Sequence, residues 1–566
     1  MKNMQQKNVE WRYFMSKSFK RFVALLIAAM MLFAACATDG AAPEVTGTRD
    51  FVPVPAGDWN VPYETTVHVT SVANMGNDWV FETGDSMHNQ PWTRAWKEDL
   101  NIEVTWDWLT TGDAEYITRL NMAIASGTLP DVFRVNYLQF LQLMEADLLM
   151  DITEYYENNL SQRIRDYELT DPDTIKTVSR DGRIYGVPQY YYGVIDAPRL
   201  IWVRKDWYEA AGSPEMNTVA QFEELAKGFM AEYGGYGMAT CNTLEFLFFT
   251  GPMFGVYLGN PQLSEYFWYP DETGRIKAGV THPEFRTALE YWAKWYQEGI
   301  ISPDFASIDN NRMHEDVVNG RTGIQPFWQW HGWMNGPNLV AVHNEDAYMI
   351  PLPFPTVDGS QVLGQVVFPN VYITVVNKDA QNPAAAMKLL SYTDYIMFDP
   401  NTVLTEEQFR GFTDGQREHA CGPFGIIDPM ADMLQYQNVS HALHTGDTSQ
   451  LFTSGMQKKH GDSLDWIENR NPAGLGAYLQ QGRHEGCSYY HNKFLVDNNF
   501  LIRTSMWGPP PLDFHQTANT GDIIAMGVME IILGSQPVEF FDTVLAEWYA
   551  NGGQILEDSV NAEYGN

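Results

Sequence analysis

Between Thr66 and Val72, Val67, Val69 and Ser71 alternate with Thr66, His68 and Thr70, the period of a half-buried strand rich in β-branched residues. Trp92, Trp96 and Leu100 then share one helical face. Ile102, Val104, Trp106 and Trp108 alternate with Glu103, Thr105 and Asp107, which predicts a second strand. Asp113 is placed to cap a helix whose apolar stripe is Ile117, Leu120 and Ile124, and Gly127 ends it. The run Asp131-Val132-Phe133-Arg134-Val135 resumes as strand. This β-α-β-α-β rhythm predicts a mainly parallel sheet covered by helices.

Later segments repeat the style. Phe285, Leu289, Trp292 and Tyr296 line a helical face that ends near Gly299. A strand is predicted from Val371 to Val376, then Asn382-Pro383 and a helix through Leu390. Pro537, after Ser535, marks another helix start. The stretch from Asp399 to Gly521 is polar and turn-rich and reads as a loop-heavy extension on a second lobe. No internal repeat is visible.

The chain's 566 residues are too many for one ordinary core and imply two or more lobes. Net charge is −35. The first 36 residues hold six basic side chains and one acid, so the remainder carries about −40. A surface that acidic repels phosphate backbones and excludes nucleic acid as a partner; its plainest reading is solubility.

Near the N-terminus, Lys17, Lys20 and Arg21 precede an unbroken apolar run from Phe22 to Phe33, then Ala34-Ala35-Cys36. The run is too short for a comfortable membrane span and fits a secretory segment. Small residues ending in Cys resemble a bacterial lipobox, with Phe33 where Leu is usual, and mark Cys36 for lipidation. Met15 offers an alternative start. The small and polar residues from Ala37 make a flexible tether. Only Cys241, Cys421 and Cys487 follow, which rules out a full disulfide framework; a Cys421–Cys487 bridge is conceivable but not expected.

Several segments, in order, resemble the family 1 extracellular solute-binding proteins of ABC importers, particularly the long lipoproteins of oligosaccharide uptake. They are Asn121 to Val132 (Asn-Met-Ala-Ile-Ala-Ser-Gly-Thr-Leu-Pro-Asp-Val), Asp181-Gly182-Arg183-Ile184-Tyr185-Gly186-Val187-Pro188 and Val203-Arg204-Lys205-Asp206-Trp207. Gln297 to Phe305, Asn382 to Leu390 and Trp548 through Gly552-Gly553-Gln554-Ile555-Leu556-Glu557 to Asn561 continue the series. The resemblance implies an α/β, two-lobed type II periplasmic-binding-protein fold with hinge crossovers and a helix-rich C-terminal part. It divides the chain into a signal peptide (1–36), a tether (37–60), a first lobe (61–195 plus 360–398) and a second lobe with C-terminal helices (196–359 plus 399–566). It also implies a monomer without enzymatic activity, cofactor or metal. The protein would be held by lipid on the outer face of the bacterial cell membrane and would hand a carbohydrate, in oligosaccharide form, to permease subunits.

In open parallel sheets ligands bind beyond the carboxyl ends of strands. Sugars offer apolar C–H faces to aromatic rings and hydroxyls to amides and carboxylates. Aromatic residues that follow strands are therefore the candidates: Trp328, Trp330 and Trp333 in Phe-Trp-Gln-Trp-His-Gly-Trp, Tyr190 and Tyr191 after the Gly-Val-Pro strand, and Trp79 after the first strand. Asn136 after the third strand and Trp507 before Pro509-Pro510-Pro511 complete the set. The bland alternative for any one of them is core packing, which is the reading for the helical Trp92, Trp96, Trp292 and Tyr296. The acidic chain favours a neutral or weakly charged sugar unless a local Lys or Arg overrides it.

Other chemistries find little support. His484, Cys487 and His491 have ligand-like spacing, with His441 and His444 before them, but no paired Cys motif accompanies them. Asp271-Glu272-Thr273-Gly274 reads as a turn without the alternating oxygens of a calcium loop. No G-x-S-x-G, Walker A or H-E-x-x-H pattern occurs. The competing classes are a secreted glycan-active enzyme, a binding protein for a peptide or other small solute, and an all-α helical-repeat glycan receptor, which the strand alternation opposes.

Overall fold

The computed structural model describes residues 59–75, 79–170, 174–190, 199–259, 266–333, 344, 346–367, 372–399, 402, 411–412, 414–483, 485–506 and 520–565. Eight of its strands frame the molecule. They are β1 (Val67–Asn74), β2 (Ile102–Thr110), β3 (Val132–Val135), β4 (Val187–Pro188), β5 (Arg199–Arg204), β6 (Ile324–Trp328), β7 (Met349–Leu352) and β8 (Ile373–Val376).

The first sheet has the order β2-β1-β3-β8-β4. β1 runs parallel to β2 and β3, as the alternation predicts, while β8 returns antiparallel between β3 and β4. The second sheet, β6-β5-β7, is antiparallel in both pairings, against the expectation of a parallel arrangement. The parallel rule needs a helical crossover between neighbouring strands. Here β6 and β7 flank β5 from opposite sides, each running against it.

Two large cores follow from the two sheets. One holds Val67, Val69, Trp92, Trp96, Ile102 and Val376. The other gathers Trp202, Phe222, Trp292, Trp295, Ile324 and Met349. Trp92, Trp96 and Trp292 are completely buried, as their helical spacing requires, and Tyr296 packs half-buried at the second core's margin. Trp292 sits on the helix Glu284–Gln297, stacks on Phe248 and donates its indole N–H to Thr250 at 2.9 Å.

Three expectations are corrected. The helix Asp113–Ser126 buries Tyr116, Leu120 and Ala123, so Ile117 faces outward. Its N-cap is Gly112, and Asp113 is the first helical residue. The face is set by Tyr116, whose hydroxyl donates to the Arg134 carbonyl on β3 at 2.8 Å. Second, the segment read as loop-heavy contains the helices Ala431–Thr445, Ser454–Asn469 and Ser488–Asp497. Third, Phe412, Ala420, Cys421, Phe424 and Ile426, assigned from sequence to the second lobe, pack in the first core. Gly422, at φ +63°, brings that segment against Trp106, whose ring a Cβ would meet at 2.7 Å. Conversely, Val362 packs in the second core.

Cys241, Cys421 and Cys487 are all buried, and among the described residues no disulfide joins them. Among the described residues no helix is long and apolar enough to cross a membrane.

Candidate functional site

The carboxyl ends of β1, β2 and β3 form one edge. The Asn74 side chain fastens it: its Oδ1 accepts from the Gly112 N–H at 2.7 Å and the Thr110 hydroxyl at 3.2 Å, and its Nδ2 donates to Asp113 at 2.7 Å. Arg134, one residue from the end of β3, lies over the Tyr372 ring at 4.2 Å. Burial raises the Tyr372 phenol above its ordinary range; the Arg134 charge opposes this and the Asp113 charge adds to it. The edge thus presents an aromatic ring within the field of one guanidinium and one carboxylate. Among the described residues Arg134 forms no ion pair.

The second sheet ends in a similar arrangement. Trp328, last in β6, pairs in register with Arg199, first in β5. The Arg199 guanidinium lies 4.1 Å from the Trp328 ring and donates to the Gln365 carbonyl at 2.9 Å. Phe249 meets Trp328 edge-on at 4.9 Å. Burial holds the Glu245 carboxyl above its usual range, while the Trp328 indole hydrogen bond and the Arg199 charge pull it back. Here too an indole stands between one acid and one guanidinium.

A tight helical turn, Gln329–Trp333, continues from β6. Trp330 packs half-buried against Phe327, ring centroids 5.1 Å apart. Trp333 is 39% exposed, with the Lys459 ammonium 3.1 Å from its ring centre. The turn lies tightly on the π-helical segment Tyr478–Gly482: a Cβ on Gly332 would sit 3.2 Å from Gln480 Cγ.

The other sequence candidates are placed apart from this turn. Tyr190 is buried in the first core at φ +48°, edge-on to Tyr167 at 5.7 Å. Beside it the Gln189 amide donates to the Thr374 hydroxyl at 3.1 Å and the Pro423 carbonyl at 3.2 Å. Trp79 packs half-buried on the first core near His419. Asn136 caps the helix Tyr137–Glu145, its side chain accepting from the Gln139 N–H at 2.9 Å. Tyr191, Trp507, Cys36 and His484 lie outside the described residues. Sequence reasoning missed Arg134, Tyr372, Arg199 and Glu245. Arg134 had a signal, standing as the polar residue near the end of a predicted strand. Among the described residues no group of three or more metal-ligating side chains comes together.

Two sheets with separate cores, each edged with aromatic and polar groups, are the architecture of the two-lobed solute-binding proteins. Residues 88–393 match the family model of bacterial extracellular solute-binding proteins, and the chain belongs to that family. Lipoprotein LipO of Bacillus subtilis is 24% identical over 323 residues, 54% of this chain and 55% of that one. The polygalacturonan/rhamnogalacturonan-binding protein YtcQ of the same organism is 25% identical over 260 residues, 42% of this chain and 47% of that one. The chain therefore spans about half the length of these curated relatives. An HMO-binding, ABC-transporter-associated solute-binding protein from Bifidobacterium longum infantis shares the fold at TM-score 0.56 and 14% identity, covering 89% of this chain and 99% of that one.

Proposed function

We propose that the protein captures an oligosaccharide between its two lobes and delivers it to the permease subunits of an ABC importer, without chemical change to the sugar. It works as a monomer, with neither cofactor nor metal, held on the outer face of the cell membrane by lipid on Cys36. One observation carries the ligand assignment. Each sheet edge offers an aromatic ring between one carboxylate and one guanidinium, Tyr372 with Asp113 and Arg134, and Trp328 with Glu245 and Arg199. In a chain of net charge −35 the locally balanced charge suits a neutral polyhydroxylated ligand. Rings cover C–H faces while both ion types take hydroxyls. The carbohydrate reading is also supported by similarity to a polygalacturonan/rhamnogalacturonan-binding protein and to an HMO-binding protein.

Calorimetry against a panel of neutral oligosaccharides, their uronic-acid counterparts and peptides tests this. Binding of a neutral glycan without release of new reducing ends is expected. A uronide that binds more tightly than its neutral counterpart would shift the reading to acidic glycans, with the Arg134 guanidinium as their receptor. Binding of a peptide alone would remove the carbohydrate assignment.

A further inference from the structure

The turn that carries Trp330 and Trp333 is held from behind by a histidine. His331 is fully buried, its ring set against Phe327 (ring centroids 4.4 Å apart), Trp202 (5.1 Å) and His314 (5.8 Å, inclined by 27°). Gln480 packs under the adjoining Gly332. Neither His331 ring nitrogen has a hydrogen-bond partner among the described residues, and the buried Gln480 amide is equally unmet. His314, on the helix Asn310–Val318, takes an amide contact from Gln325 at 3.3 Å, and its charge acts on His331.

The charged groups on neighbouring elements sit at the two ends of the turn. Arg199 and Glu245 are at Trp328, and Lys459 is at Trp333. On the helix Ser488–Asp497, His491 is half-buried and carries its own preference for the neutral form. No carboxylate among the described residues accepts from the His331 imidazole.

We propose that His331 is a positioning residue for the ligand-binding turn, and that its protonation unseats the turn and switches ligand capture off in acid. The proposal rests on the reading that Trp328 and Trp330 hold the ligand. Charging a fully buried imidazole set against Phe327 and Trp202 costs it its hydration, which a displaced turn restores. Burial and the His314 charge already hold the seated His331 well below the ordinary imidazole range. The depressed value fixes the sign. The seated form is fully favoured above about pH 6.5, the value of an exposed histidine, and loses ground about tenfold per unit below it, until the seated ring itself takes a proton. From pH 7 to pH 5 the ratio of displaced to seated turn rises by up to about 25-fold, the limit set by a seated ring that stays neutral.

Hydrogen exchange on the full, ligand-free chain reads this ratio directly. After correction for intrinsic exchange, protection across 324–333 is expected to fall further than in the helix Glu284–Gln297 between pH 7 and pH 5, by up to about 25-fold. In His331→Gln it should stay level. An equal fall in wild type and His331→Gln would overturn the proposal. Should the variant not fold, imidazole NMR of the wild type decides: a charged His331 ring under a fully protected turn also overturns it. Acid opening of the turn in a protein that binds none of the panel glycans would keep the switch and remove the carbohydrate reading, so the two failures are separable.

Discussion

Trp330 and Trp292 carry the same side chain in opposite surroundings. Trp330 is half-buried on a turn at a sheet's end, and Trp292 is sealed in a helix-backed core with its indole satisfied by Thr250. A stacking indole contributes about 1–3 kcal/mol to a ligand, where about 1.4 kcal/mol is a factor of ten. Trp330→Ala should weaken glycan binding by roughly tenfold or more with little change in melting temperature. Trp292→Ala should cost about 3–5 kcal/mol of stability through the cavity it leaves. Calorimetry and denaturant unfolding on both variants check the pair, and normal binding by Trp330→Ala would place the ligand elsewhere. The turn was legible because Phe-Trp-Gln-Trp-His-Gly-Trp interleaves rings with polar groups directly after a strand. Arg134 was not, because the ring beneath it, Tyr372, arrives from a strand more than two hundred residues later and no local pattern announces the pairing.

At the scale of elements, the helix Pro383–Phe398 is buried along nearly its whole length and pinned by ions. Arg163 reaches Asp394 at 3.1 Å and also pairs with Asp428, and the Tyr167 hydroxyl donates to Asp394. Burial outweighs these partners and lifts the Asp394 carboxyl to about 7. The folded protein therefore retains a proton that the unfolded chain releases near the ordinary aspartate value of about 3.9. Stability is lost as pH rises from about 4 to about 7 and is level above that. Asp394→Asn keeps a neutral partner for Tyr167 and should remove this slope, so the stability of wild type relative to the variant should fall between pH 5 and pH 8 in chemical denaturation. Identical slopes would show that Asp394 is ionised throughout. Strands and helices with plain periodicity were legible at this scale, and those of the segment after residue 430 were not. The helix Ser454–Asn469 carries Gly461 in its middle and buries Ser463 beside Trp466, so its core face does not read as apolar.

Across the whole molecule, sequence order and family resemblance made the two-sheet plan readable, while the path of the chain between the cores was not. Ala420, Cys421, Phe424 and Ile426 sit in a stretch that reads as polar loop, because its few apolar side chains matter only when Gly422 lets them approach Trp106. The same scale governs attachment. If Cys36 carries the lipid, Cys36→Ser should release the protein from the membrane fraction or leave it unprocessed. The several acyl chains of a bacterial lipoprotein hold far more firmly than one. A processed Cys36→Ser protein that still fractionates with membranes would show that another element anchors it.

The place of β8 in the first sheet has a consequence for biogenesis. Among the described residues β4 pairs with no strand of its sheet but β8, and β8 lies almost two hundred residues downstream, with Phe412, Ala420, Cys421, Phe424 and Ile426 still to follow into the same core. The second core in turn waits for Tyr564 near the chain's end. A polypeptide leaving the cell N-terminus first cannot seal either half until most of its length has emerged. Closing such distant contacts is slow, since the loop entropy is spent before the contacts repay it. The apolar segments of the unfolded chain are thus exposed to proteases and folding helpers for longer than those of a fold built from local contacts. A product cut short before Ile373 would leave β4 without a sheet and would be cleared, not folded.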